Sequence, residues 1–173
     1  GTKLSYFDQQ REDPDTGSNG WRYTPYVIEP AAGATRGLLV YLLDAYHEET
    51  VKDSKGNDSK RIVMKFHPKL APIKVAVLPL VKKEGLPEIA RKLVSEFFNA
   101  GINTKYDEQH AIGKRYRRHD EVGTPYCLTV DGESKEDNCV TIRDRDTMVQ
   151  ERIPINKAVE IVKDRLTQSA KVG

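Results

Sequence analysis

Two short stretches of this chain carry side chains that could act on a polyanion. Gly113 to Pro125 sets Lys114, Arg115, Arg117 and Arg118 around Tyr116, four cations and one aromatic within five residues. Guanidinium groups hold phosphate by two-point contacts and stack on bases, and an interleaved tyrosine offers a flat face to an unpaired base. RNA with exposed bases suits such a stretch; a solvated basic helix face is the alternative. The other stretch is Glu29-Pro30-Ala31-Ala32-Gly33-Ala34-Thr35-Arg36. Its small side chains let a ligand approach the backbone, a following helix start favours negative charge, and Arg36 adds a cation. A nucleotide phosphate would fit there, although the same spacing also serves plain close packing. A third string, Arg143-Asp144-Arg145-Asp146, alternates in sign. It is compatible with ion pairing at the surface or with arginines aimed at RNA.

These residues need elements to position them. Tyr6-Phe7-Asp8 reads as a strand end, Gln9 to Trp21 as an exposed polar turn, Arg22 to Ile28 as a strand, and Gly37 to Tyr46 as an apolar helix. Trp21 should cover an apolar edge. Glu48 to Lys60 is charged and reads as a surface excursion, followed by a linker. Arg61 to Phe66 is a short alternating stretch, and the boundary between two domains, 1–66 and 67–173, is expected near His67. Beyond it, Ile73 to Val81 reads as a strand buried on both faces, Pro87 to Phe98 as an amphipathic helix closed by Gly101, and Ile102 to Tyr106 as a strand. Ile112 to Val122 reads as a helix stopped by Gly123 and Pro125. Strands are expected at Tyr126 to Val130, Val140 to Arg143 and Met148 to Ile153, with a closing helix over 155–166. That order predicts an α/β fold with a mixed sheet flanked by helices.

Composition bounds the function classes. The chain has 173 residues and is 38% hydrophobic, enough for a core, and its 28 basic against 26 acidic residues leave only +2. Attraction for nucleic acid must therefore come from local clustering. Cys127 and Cys139 form no ligand pair, so reduced, buried thiols are expected. His47, His67, His110 and His119 lack metal-ligand spacing and read as surface or packing residues. No apolar run approaches a membrane span and no signal pattern opens the chain, so a cytoplasmic setting is expected. The first residues read as the interior of something longer. Tyr116 reads as a packing residue with a wet hydroxyl.

The two chemical stretches also carry a resemblance. Gly113 to Asp131, with Thr141 to Met148 beyond, resembles the anticodon-binding domain of bacterial-type glycyl-tRNA synthetases. Pro25-Tyr26-Val27-Ile28-Glu29-Pro30-Ala31-Ala32-Gly33 with Arg36 is similar to the third signature motif of class II synthetases in its glycine-specific form. Ala31 stands where that family commonly has Ser, and Thr35 where Asp often precedes the arginine. The resemblance implies a strand-turn-helix remnant of an antiparallel catalytic domain ahead of the mixed sheet. It implies that Glu29, Pro30, Ala31, Ala32 and Gly33 border a glycine pocket. It further implies that Gly33, Ala34, Thr35 and Arg36 meet ATP, and that Arg115, Arg117, Arg118, Arg143 and Arg145 meet the glycine tRNA. ATP would be a substrate, Mg2+ would assist glycine activation, and the intact enzyme would be a homodimer away from membranes. The first two signature motifs are absent, so this stretch alone is expected not to form glycyl adenylate. Two other readings stand beside it: a non-catalytic, synthetase-like accessory protein that binds nucleic acid, and a small-ligand α/β domain that binds no RNA.

Overall fold

The computed structural model describes residues 4–52 and 56–168. The charged triplet Asp53-Ser54-Lys55, read above as part of a surface excursion, lies outside them. The chain divides into two compact units, Gly1–Arg36 and Gly37–Gly173.

In the first unit, β1 (Tyr6–Glu12) pairs antiparallel with β2 (Asn19–Tyr23). The turn between them is closed by the Asp13 carboxylate, which accepts the backbone N–H of Asp15 at 2.9 Å and of Thr16 at 3.3 Å. Trp21 stacks on Tyr23 with ring centroids 4.4 Å apart, and the Arg11 guanidinium lies 4.5 Å from the indole centroid. The strand expected over Arg22 to Ile28 stops at Tyr23, and residues 24–33 carry no regular structure. Pro25 and Pro30 have no N–H to donate to a ladder, and no described strand pairs with the segment. Tyr26, Val27 and Ile28 are accordingly exposed. The helix α1 then runs over Ala34–Ala45, starting earlier than the apolar run suggested.

The second unit opens with a correction. The stretch expected to be an excursion and linker is an antiparallel hairpin, β3 (Tyr46–Lys52) with β4 (Asp58–Met64), in register from Tyr46 opposite Met64 to Lys52 opposite Asp58. Its inward positions on β4 are Arg61 and Val63, both fully buried. The alternating stretch expected from Arg61 thus belongs to β4, while the charged residues ahead of it conceal the pairing with β3.

After the hairpin come β5 (Val75–Pro79), α2 (Leu86–Asn99), β6 (Thr104–Tyr106), α3 (Ile112–Val122), β7 (Tyr126–Val130), the short α4 (Ser134–Asp137), β8 (Cys139–Asp144) and β9 (Gln150–Pro154). A 3-10 turn at Ile155–Lys157 leads into α5 (Ala158–Gln168). Among the described residues these strands form one sheet in the order β6-β5-β7-β8-β9, with β5 parallel to β6 and β7 and the remaining pairs antiparallel. The expected mixed sheet is present, and only α4 was not anticipated. Its strands alternate cleanly. Val75, Val77, Leu128, Val130, Val140 and Ile142 face α2 and α5 in the main core, whereas Ala76, Leu78 and Cys127 turn to the opposite face beneath Ile112 and Tyr116 of α3. Burial pushes the Cys127 thiol up to about 12, so it stays an inert core group. Cys139 is free and only half-buried.

Gly123 ends α3 in the left-handed region with φ of +83°. It also receives the end of the hairpin: a Cβ placed there would meet the Phe66 ring at 2.5 Å and the Met64 carbonyl oxygen at 2.8 Å. Gly123→Ala should therefore lower stability by at least about 2 kcal/mol, combining left-handed strain with a backbone clash. Urea denaturation measures it, and a variant as stable as wild type would refute the close approach.

Candidate nucleic-acid interface

The helix α3 has two unlike sides. Its inward stripe is Ile112, Arg115, Tyr116, His119 and Asp120, spaced at i, i+3, i+4, i+7 and i+8, with Arg115, His119 and Asp120 fully buried. The sheet face below supplies small residues, Ala76 and Cys127, and the hydroxyl of Thr129. There is room for polar groups, provided each finds a partner.

Most of them do. Arg115 donates to the carbonyls of Pro79 at 2.6 Å, Asp107 at 3.2 Å and Leu80 at 3.2 Å, tying α3 to the ends of β5 and β6. The Tyr116 hydroxyl bonds Thr129 Oγ1 at 2.6 Å, and the Arg143 guanidinium sits 4.9 Å from the Tyr116 ring centroid. Tyr116 is thus a packing residue, and its face is taken by an arginine. Asp120 accepts from Arg143 Nη1 at 2.8 Å and Nη2 at 3.1 Å, and from Arg61 Nε of β4 at 2.9 Å. Arg61 also donates to Glu49 at 2.7 Å and to the Arg145 carbonyl. Burial would pull the Arg61 guanidinium down, but the Asp120 and Glu49 carboxylates outweigh it and hold its pKa above the ordinary value. Arg145 donates to the Gly123 carbonyl at 2.9 Å and pairs with Asp146 at 2.8 Å. Asp144 instead accepts the N–H groups of Asp146 and Thr147, closing its own turn.

The alternating string is therefore not a run of neighbouring surface ion pairs. Of the five arginines expected to meet RNA, Arg115, Arg143 and Arg145 are buried, with donors committed to internal acceptors. Arg117 and Arg118 occupy the outer side of α3 with the exposed Lys114. Arg118 is 42% exposed and pairs with Asp107 at 2.5 Å. Arg117 is half-buried, and its Nη1 is shielded from solvent with no hydrogen-bond partner among the described residues. Sequence reasoning missed Asp120 and Arg61. The i+4 spacing of Asp120 from Tyr116 could have flagged the first, but nothing local marks Arg61.

His119 is the other buried titratable group. Its Nδ1 lies 3.2 Å from Thr124 Oγ1, and its Nε2 lies 3.7 Å from Asp107 Oδ2 with no hydrogen bond. Burial pulls its pKa below the ordinary value, against the opposing influence of Asp107.

Within the first unit, every residue from Glu29 to Arg36 is exposed. Glu29 and Arg36 stand at its two ends. No group of three or more His, Cys, Asp or Glu among the described residues could hold a metal ion. Among the described residues no helix is long and apolar enough to cross a membrane.

Comparison with known proteins agrees with the geometry. The sequence profile of the family described as Anticodon binding domain matches residues 74–165. The chain is 50% identical over 165 residues to a glycine–tRNA ligase of Treponema denticola, covering 95% of this chain and 36% of that protein. With the glycine–tRNA ligase of Corynebacterium efficiens the identity is 52% over 157 residues, covering 91% and 32%. With that of Borrelia hermsii it is 55% over 149 residues, covering 86% and 32%. The chain thus spans about a third of the length of the curated relatives it matches, aligning with their carboxyl-terminal part. A solved prolyl-tRNA synthetase from Cryptosporidium parvum, complexed with L-proline and AMP, superposes with a TM-score of 0.59 at 20% identity, covering 69% of this chain and 32% of that one. That likeness is one of fold.

Two outcomes follow from the buried groups. Asp120→Ala strands two guanidinium groups and should cost about 3–5 kcal/mol in urea denaturation; a loss under about 1 kcal/mol would mean that the cluster is wet and weak. For His119, above about pH 6.5 both folded and unfolded states carry a neutral ring. Below it the unfolded chain takes up a proton that the folded chain resists, so stability falls as pH drops. Wild type should lose stability between pH 7 and 5 more steeply than His119→Asn, and parallel profiles would refute the assignment.

Proposed function

The chain belongs to the anticodon binding domain family through residues 74–165, and from that premise we propose that it is the carboxyl-terminal part of a glycine–tRNA ligase. The observation that carries the reading is identity of about one half that extends past the matched domain, reaching 95% of the chain and so taking in residues that an RNA-binding module alone would not need. An accessory protein has no use for a carboxylate and an arginine framing a small-residue turn.

In this reading residues 1–66 belong to the catalytic domain and 67–173 form the anticodon-binding domain. Glu29 faces the ammonium group of glycine, for which a carboxylate is the natural partner, and Pro30, Ala31, Ala32 and Gly33 keep the wall too close for a larger side chain. Ala31 brings no hydroxyl to that wall. Gly33, Ala34 and Thr35 let the ATP phosphates approach the backbone, and Arg36 neutralises charge on them. Magnesium, if bound with ATP, would supply further charge neutralisation. The segment is open on every side in this chain, so it forms no adenylate by itself, and dimerisation belongs to the intact enzyme.

The RNA side is narrower than the sequence implied. In this reading Arg117 and Arg118, on the outer side of α3, meet the anticodon arm of glycine tRNA. Arg115, Arg143 and Arg145 act one step behind them, holding α3 on its sheet.

Fluorescence anisotropy with a labelled anticodon stem-loop of glycine tRNA tests this. Affinity should fall steeply with salt, and Arg117→Ala and Arg118→Ala should each flatten the log–log salt dependence by about 1 while leaving the fold intact. Equal, weak binding of any duplex DNA would favour the accessory protein instead.

A further inference from the structure

We infer that the β3–β4 hairpin, which lies outside the matched residues 74–165, forms part of the RNA-binding surface, with Lys52 at its tip contacting phosphate. The inference rests on the proposed reading of α3 as the RNA-facing helix and extends that surface to a second element.

The outer side of α3 is partly framed by neighbouring elements. It forms one bank of a cleft of about 850 Å³, with Lys114, Arg117 and Arg118 on that bank, Lys52 of the hairpin and Gln150 of β9 on the others. Four cations from two elements converge there against a single carboxylate, Glu121. Lys52 is also paired with Asp58 at 2.5 Å, and Arg118 with Asp107 at 2.5 Å, both partly exposed contacts that a phosphate can exchange. Arg117 lines the same cleft and is half-buried. The floor is open as well, since a Cβ added at Gly113 would meet nothing within 4 Å.

The hairpin is not a loose flap beside this cleft. Arg61 of β4 is locked to Asp120 of α3, and Phe66 and Met64 press on Gly123 at the helix end. Lys52 pairs in register with Asp58 at the far end of that same ladder. The backbone position of Lys52 relative to α3 is therefore set by the ladder and its anchor. A cleft with cations on separate rigid elements suits a chain of phosphates that passes between them, and its volume suits a nucleotide-sized unit.

The test uses the full chain and the labelled anticodon stem-loop. Lys52→Ala should bind several-fold more weakly at low salt and flatten the log–log salt dependence by about 0.7 to 1. Lys60→Ala, which removes an exposed lysine of the same hairpin away from the cleft, should change neither. Circular dichroism melts of both variants should match wild type. If Lys52→Ala behaves as Lys60→Ala does while Arg117→Ala still weakens binding, the hairpin is excluded and the α3 reading stands. If wild type fails to bind the stem-loop, the α3 reading falls and the hairpin inference with it. If a polyglutamate peptide of matched charge binds as tightly, with the same loss in Lys52→Ala, RNA is the wrong occupant.

Discussion

A single carboxylate, that of Asp120, decides how this domain is put together. It is fully buried and lies between the guanidinium groups of Arg61 and Arg143, residues 59 and 23 positions away in sequence. Taking three charged groups out of water costs several kcal/mol per ion, and attraction recovers that only if the remaining donors and lone pairs are also satisfied. Here they are. Arg143 binds both carboxylate oxygens and covers the Tyr116 ring, and Arg61 passes its other donors to Glu49 and to the Arg145 carbonyl. An arrangement so demanding admits few alternatives, so it specifies which strand, helix and hairpin must meet. Apolar contacts around it would tolerate sliding; this one does not.

The division of labour within α3 follows from that demand. Each turn of the helix sends polar side chains inward to hold the sheet and basic ones outward. Arg115, Asp120 and His119 answer to the fold, whereas Lys114, Arg117 and Arg118 remain available. A run of arginines that looks like one binding motif is two structural tasks interleaved at helical spacing. In the proposed reading, phosphate binding depends on groups that never touch phosphate, since loss of the inner bonds would let the outer cations drift.

Where elements are built on apolar periodicity, sequence reading placed them closely. The bounds of α3 and β7 match the expected residues, and β5 shows the continuous burial that its apolar run implies. Reading failed where charge takes the place of hydrophobicity. The hairpin at 46–64 was taken for an excursion because its inward set includes Arg61 and Glu49, and charges in a strand look like surface. For the same reason residue type and spacing cannot reveal that Arg115, Arg143 and Arg145 are buried against internal carbonyls and carboxylates. Resemblance located the domain, but it could not sort Arg143 from Arg117. The strand expected at 22–28 failed for a different reason, since a strand exists only by pairing and no described strand pairs with it.

The half-buried state of Arg117 and Arg118 is itself a physical argument for binding. A flexible ammonium group gives up hydration and rotamer freedom for each phosphate contact it makes. Arg118 is already held by Asp107, and Arg117 is already partly dehydrated, with one nitrogen lacking an acceptor among the described residues. An unmet buried donor costs about 1–3 kcal/mol, a cost that Arg115 Nε and His119 Nε2 also carry inside the fold. The free protein thus carries part of the desolvation and ordering that association would otherwise require. Arg118, 42% exposed and held by one carboxylate, is the arginine whose partner an anion exchanges at least cost in the proposed reading.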